Sequence, residues 1–251
     1  MLELKNIFVT IGKDSALEQH VLKDLNLRIS KGEFVVIIGG NGAGKSTLFN
    51  TISGEVLPTK GSIFLKNINI NRWPNYKRSS LISQVPQDPR IATMDAMTLE
   101  ENLSFAYMRG QKRTLLPQKT SQRLNFFHQK LSSLNINLEN RLHEMASNLS
   151  GGERQILSLI MATLHPSEIL LLDEITAALD PKMADLVMNL TQKIVHDSEQ
   201  TTLMITHNMD HALKFGDRTL LLKNGKIEHE FSRKEKQSLT PADLSKLFNV
   251  L

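Results

Sequence analysis

Three observations predict an α/β fold built on a mostly parallel sheet. Residues 34–38, 169–172 and 201–206 are short aliphatic or β-branched runs without polar alternation, the mark of strands buried on both faces. Segments with helical spacing lie between them, and strands alternating with helices give parallel sheets. A glycine-rich turn, Gly39-Gly40-Asn41-Gly42-Ala43-Gly44-Lys45-Ser46-Thr47, joins the first run to a helix.

The composition sets bounds. A chain of 251 residues has ample core for one large domain. It has no cysteine, so disulfides and thiolate zinc sites are excluded. No apolar run approaches membrane-spanning length, and the start, with an acid at Glu3, lacks the apolar stretch of a signal peptide. The expectation is a cytosolic protein. The formal charge is +4, and six basic residues (Arg109, Lys112, Arg113, Lys119, Arg123 and Lys130) fall in one stretch without an acid. Such a stretch reads as a solvated face or as a surface near anionic lipid headgroups.

The elements follow in order. Residues 2–10 read as a strand, and 12–20 as a polar turn. Residues 21–29 alternate apolar and polar, as a half-buried strand does. Lys31-Gly32-Glu33 turns the chain into strand 34–38, and a helix runs over 46–53. Residues 58–61 turn, 62–65 form a short strand, and 67–73 continue irregularly. Thr98 and Glu101 have capping-box spacing, so a helix starts there, with Leu99, Leu103, Ala106 and Tyr107 on one side. Pro117 interrupts, and a second helix spans Leu124, Phe127, Leu131 and Leu134. Nothing in 98–147 reads as a strand. Residues 94–147 are therefore a helical insert in a single domain, 1–251, whose core is 1–93 and 148–251.

Ser150 caps a helix over 151–164, which Pro166 ends. Asp180 caps another, with Pro181 at its first position and Met183, Val187, Leu190 and Ile194 facing inward. Residues 208–215 form a short helix closed by Gly216. Leu220–Leu222 and the run from Ile227 make a hairpin about Asn224-Gly225. Thr240-Pro241 opens a final helix. The N-terminal strands and the late hairpin read as antiparallel.

The glycine turn has the chemistry of a phosphate cradle. Its glycines bring backbone N–H groups towards an anion, and the helix N-terminus adds partial positive charge. Lys45 supplies a full charge for the β and γ phosphates, and the Ser46 hydroxyl is a Mg²⁺ ligand. Asp173 and Glu174 follow the strand 169–172, at the end where open α/β sheets hold ligands. Asp173 is placed to hold Mg²⁺, and Glu174 to act on an attacking water. Leu149-Ser150-Gly151-Gly152-Glu153 is a second candidate cradle at a helix start. Either two phosphates bind separately, or two chains share nucleotides.

Leu149-Ser150-Gly151-Gly152-Glu153 resembles the signature of ATP-binding cassette proteins. The order of glycine loop, signature, strand with Asp173-Glu174, Ala178-Leu179-Asp180 and His207 matches that family across essentially the whole chain. The resemblance implies a P-loop NTPase core, an N-terminal antiparallel β subdomain and an inserted α-helical subdomain. It also implies an ATPase that uses ATP and Mg²⁺ and works as a head-to-tail dimer. Gln87, favoured over Gln84 by its Val-Pro-Gln context, matches the residue that senses Mg²⁺ and the γ-phosphate. Asp180 matches the loop that crosses to the second copy, and His207 the histidine at the γ-phosphate. His211 is assigned no role. Three positions depart from the family pattern: Gly40, Ile175 after Glu174, and Ile11 where an aromatic ring commonly stacks on adenine.

The implied function is the ATP-hydrolysing subunit of a bacterial importer. It would be cytoplasmic and peripheral on the inner face of the cell membrane, driving a separate permease with a solute-binding protein. No nucleic acid is expected. Stretches 72–74 and 161–164 resemble an importer subgroup linked to amino acids. The alternatives are a non-transport cassette ATPase acting on ribosomes or DNA, and a lipid or exporter type. A single cassette, and an interval from Lys45 to Ser150 without sustained heptads, count against the former.

Overall fold

The run Phe34–Ile38 becomes a central strand, and the chain is laid around it. The computed structural model describes residues 1–13, 17–111 and 121–249. In chain order these form β1 (Leu2–Ile11), β2 (Gln19–Ile29), β3 (Phe34–Ile38), α1 (Lys45–Ser53), β4 (Lys60–Leu65), β5 (Ile68–Asn69), α2 (Asn75–Arg78) and β6 (Ile82–Val85). Then come α3 (Leu99–Tyr107), α4 (Ser121–Ser132), α5 (Gly151–Thr163), β7 (Ile169–Asp173), α6 (Pro181–Asp197), β8 (Thr201–Ile205) and α7 (Met209–Lys214). The chain closes with β9 (Arg218–Lys223), β10 (Lys226–Ser232), α8 (Arg233–Lys236) and α9 (Pro241–Asn249).

Two sheets result. One has six strands in the order β10-β9-β3-β8-β7-β6, and the other has four in the order β2-β1-β4-β5. The strand period of two divides the core between the faces of the larger sheet. Val35, Ile37, Leu171 and Leu203 face α1 and the smaller sheet, in one cluster with Leu48, Phe49, Leu4 and Val9. Val36, Ile38, Leu172 and Met204 face the other way, in a cluster with α5, α6 and the insert residues Leu99, Leu103, Phe127 and Leu131. Helix α5 is buried over most of its length. The insert returns to its start at an isolated bridge between Thr98 and Met145.

The fold agrees with the expected class, a parallel sheet with an antiparallel N-terminal sheet and helices, and differs in detail. The late hairpin β9–β10 pairs antiparallel as expected, and β9 also runs parallel to β3. Strand β6, pairing parallel with β7, was not expected. It is four residues long, and two of them, Ser83 and Gln84, are polar. The Ser83 hydroxyl is satisfied by donating to Ser167 Oγ at 2.5 Å. The helices α2 and α8 are single turns, too short to show a period.

The basic stretch is not one solvated face. Arg109 donates to the His165 carbonyl at 2.7 Å, tying the end of α3 to the end of α5, and burial lowers its pKa. Arg123 lies over the Tyr107 ring, 5.3 Å from its centroid. Lys112, Arg113, Lys119 and Pro117 lie outside the described residues. Among the described residues, no helix is long and apolar enough to cross a membrane.

Arg78 is fully buried. Its guanidinium donates to the carbonyls of Thr51 at 2.9 Å and Ile52 at 3.1 Å, in the last turn of α1. It also reaches Ile70 at 2.8 Å and Asn71 at 3.1 Å. Helix C-terminal carbonyls have no partner within their own helix, and a cation there is favourable on both counts. Gly54 makes room, since a Cβ there would lie 2.7 Å from Arg78 Cδ. Replacing Arg78 with Met orphans these carbonyls in the interior. It should cost on the order of 3 kcal/mol, read as a lower urea midpoint with an unchanged slope.

Candidate nucleotide site

The glycine loop is shaped by its neighbours. A Cβ on Gly39 would lie 2.4 Å from the Leu222 carbonyl, so only glycine fits. Gly44 has φ 103°, a left-handed value, and offers α1 no side-chain cap. Helices α3, α5 and α6 do have such caps, from Thr98, Ser150 and Asp180. The first-turn N–H groups of α1 are therefore not taken up by a capping side chain, as an anion site requires. The turn Asn224-Gly225 braces the loop from outside. Gly225 N–H donates to the Ala43 carbonyl at 3.1 Å, and Lys23 N–H donates to the Gly225 carbonyl at 3.0 Å. A groove runs between Gly40–Ala43 and Leu221–Asn224.

Lys45 is buried and donates to the carbonyls of its own loop, Gly39 at 2.9 Å and Gly40 at 3.0 Å. Burial lowers its pKa, partly countered by the charges of Glu174 and Asp173. Ser46 is exposed and Thr47 half-buried at the helix start.

Asp173 ends β7 and is level with Ile205, which ends β8. Glu174 and His207 thus leave neighbouring parallel strands side by side, and His207 Nε2 stands 2.7 Å from Glu174 Oε1. Glu174 holds φ 48°, a strained value for a side-chain-bearing residue, and its N–H donates to the Ile205 carbonyl at 3.0 Å. Burial raises the pKa of Asp173, and the Glu174 charge adds to it, against the opposing pull of Lys45 and His207. His211 is buried instead, 3.5 Å from Thr176 Oγ1 and edge-on to Phe215. Burial lowers its pKa, as for a packing residue.

Gln87 is exposed just after β6. It lines one cleft with Gln84, Leu149, Gly151, Gln155 and Asp173. The glycine loop is not among that cleft's walls. Ser150 and Glu153 form the reciprocal cap of α5: Ser150 N–H donates to Glu153 Oε2 at 2.8 Å, and Glu153 N–H donates to Ser150 Oγ at 3.3 Å. Burial pushes the Glu153 pKa up, but the bonds from Ser150 and Arg141 outweigh it, and the net shift is down. The two glycines differ. A Cβ on Gly152 would lie 2.2 Å from Met183 Cγ, whereas one on Gly151 would meet nothing within 4 Å. Asp180 accepts from Lys182 N–H at 3.1 Å and Met183 N–H at 3.2 Å, capping α6.

Ile11 is 47% exposed at the end of β1. The register shows an extra residue on β1 between Leu4 and Ile7, and extra residues on β2 beyond that. From Ile7 onward β1 therefore alternates without a break, and Phe8 and Ile11 face opposite sides. The sequence marks Asn224-Gly225 as a hairpin turn but not as a brace for the glycine loop, and it gives no sign of the part played by Arg78. Both contacts join segments far apart along the chain, and no local pattern announces them.

The chain matches the ABC transporter family profile over residues 22–177. It is 41% identical to the tyrosine transport ATP-binding protein of Clostridioides difficile, over 99% of this chain and 98% of that protein. It is 31% identical to the thiamine import ATP-binding protein ThiQ of Photorhabdus laumondii, over 84% and 85% of the two lengths. A solved ATP-binding cassette, a dimer in a post-hydrolysis state bound to ADP and Pi, superposes with a TM-score of 0.79. That likeness covers 93% of this chain and 99% of the cassette at 29% identity.

The raised pKa of Asp173 has a stability consequence. The folded state holds the Asp173 proton more tightly than the unfolded state does. The linked stability is complete below the unfolded carboxylate pKa and is lost as pH rises through the higher folded value. At neutral pH the ionised group is therefore a burden. Asp173→Asn should raise the melting temperature of the nucleotide-free protein at pH 7 and flatten its fall between acid and neutral pH, as read by thermal unfolding at stepped pH.

Proposed function

The chain belongs to the ABC transporter family and is an ATPase of that family, and from that premise we propose that residues 39–47 hold the triphosphate while Glu174 is the general base for its hydrolysis. The observation that carries this is the 2.7 Å approach of His207 Nε2 to Glu174 Oε1, beside the glycine loop and at the carboxyl ends of β7 and β8. Lys45 exchanges the Gly39 and Gly40 carbonyls for β- and γ-phosphate oxygens. Glu174 takes a proton from the attacking water, and His207 orients that carboxylate and contacts the γ-phosphate.

Ser46, Gln87 and Asp173 offer a hydroxyl, an amide carbonyl and a carboxylate, hard oxygen donors that suit Mg²⁺. Bound there, Mg²⁺ would neutralise charge on the phosphates. Asp173, which burial holds back from ionising, is a group that a cation would relieve.

Leu149, Ser150, Gly151, Gly152 and Glu153 act on the nucleotide of a second copy. Gly152 is needed within the chain, against Met183, but the bare backbone of Gly151 faces open space and serves something outside it. The similar cassette solved as a dimer supports the same reading. Asp180 caps α6 and also meets the second copy. The assembly drives separate permease subunits, on the inner face of the membrane, with a solute-binding protein delivering cargo. Of two relatives alike over most of both lengths, one named for tyrosine transport and one for thiamine import, the second supports import. The first supports an amino acid as cargo.

Glu174→Gln should bind ATP normally while turnover falls about 10²–10⁴-fold, the usual loss for a general base. Sedimentation with ATP should then show a lasting dimer. Normal turnover in a folded Glu174→Gln protein would exclude it as the base.

Base recognition gives a second expectation. Ile11 offers apolar contact but no ring, so ATP and GTP should bind similarly. Ile11→Tyr should tighten ATP binding by up to about tenfold, if about 1.4 kcal/mol of stacking is recovered. Nucleotide titrations of the parent, Ile11→Tyr and Phe8→Ala decide it. Selective loss of ATP affinity in Phe8→Ala would place the base on the other face of β1.

A further inference from the structure

We propose that Gln155 is a positioning residue for ATP hydrolysis, whose side-chain amide donates to the 86–88 segment when that segment closes on nucleotide. The inference rests on reading Gln87 and Asp173 as nucleotide-site residues. Gln155 lies near the start of α5 and is 2% exposed. Its Nε2 is buried without a hydrogen-bond partner. The residue before it is treated differently: Arg154 pairs with Asp95 and donates to the Ala146 carbonyl at 2.9 Å.

An amide donor shut away from water without an acceptor is unfavourable, and native interiors keep few of them. Methionine would fill nearly the same volume and leave nothing unpaired. Glutamine is thus a poor choice for the conformation described and a good one for a conformation in which an acceptor arrives. The cleft shows where it comes from. Gln155 shares its walls with Gln84, Gln87, Asp88 and Asp173. Two of those walls are fixed, since α5 is buried along its length and β7 lies between β8 and β6. The third leaves the edge strand β6, and there Gln87 and Asp88 are exposed. That segment carries the acceptor inward, and the bond to Gln155 then holds Gln87 at the nucleotide.

Gln155→Met separates this from a packing role, because the two effects have opposite signs. Its melting temperature should stay level or rise by about 2–4 °C. ATP affinity should hold, while kcat falls about tenfold at little-changed KM, equivalent to about 1.4 kcal/mol. Ser158→Ala is the control. Its hydroxyl is also buried and unpartnered but is not a wall of the cleft, so its kcat should not change. Should the Met variant fold poorly, Gln155→Leu takes its place. Unchanged kcat in a folded variant overturns the proposal, and so does a loss of kcat that only tracks a loss of stability. In the double variant with Gln87→Ala, losses no greater than the larger single loss support the contact, and losses that multiply overturn it. Sustained turnover in Glu174→Gln would be a failure of the site reading, separate from any result at position 155.

Discussion

The Lys45 ammonium is the constraint around which the site is arranged. It is buried against two carbonyls of its own loop, and burial disfavours its charge. What offsets that cost lies across the loop, where Asp173 and Glu174 favour the charged form. Burial raises the pKa of Asp173, and the neighbouring charge of Glu174 adds to it. Lys45 and Asp173 therefore share a site that disfavours the charge of each. On the proposed reading, a triphosphate would give Lys45 better partners than carbonyls, and a hard cation would do the same for Asp173.

The sheet makes this crowding possible. Parallel pairing of β7 with β8 sets Asp173 level with Ile205, so whatever follows each strand meets its neighbour. Glu174 leaves β7 in a left-handed conformation, and its carboxylate reaches His207. Side-chain-bearing residues adopt that conformation at a cost, which persists only where the surroundings enforce it. Here the Ile205 carbonyl, accepting from Glu174 N–H, helps to do so.

Much of this was legible in the sequence because it is local. The glycine loop, the capping box at Thr98, the cap at Ser150 and the cap with proline at 180–181 are short-range patterns with a physical cause, and each appears in the structure. The pairing of Glu174 with His207 is not local, and only the family resemblance pointed to His207. Strand β6 was hidden because a polar pair, Ser83 and Gln84, occupies half of it. Arg109 reads as a surface charge, yet it is bonded to a carbonyl 56 residues away. No periodicity distinguishes such an arginine from a solvated one. The same holds for Arg78, which looks like one more base in a polar segment and is fully buried.

Arg78 also shows how the strain at the site is carried by the rest of the chain. It fixes the last turn of α1, while the turn 224–225 fixes the loop before its first. The helix that presents the phosphate cradle is thus held at both ends by segments remote in sequence. Held in this way, the loop keeps its shape with Gly44 at φ 103° and its lysine buried. The opposite holds for the wall of residues 86–88. It follows an edge strand, its side chains at 87 and 88 are exposed, and the buried amide facing the cleft has no partner. On the proposed reading, the braced loop would meet phosphate charge without reorganisation, and the unmade contact would lie where the 86–88 segment closes.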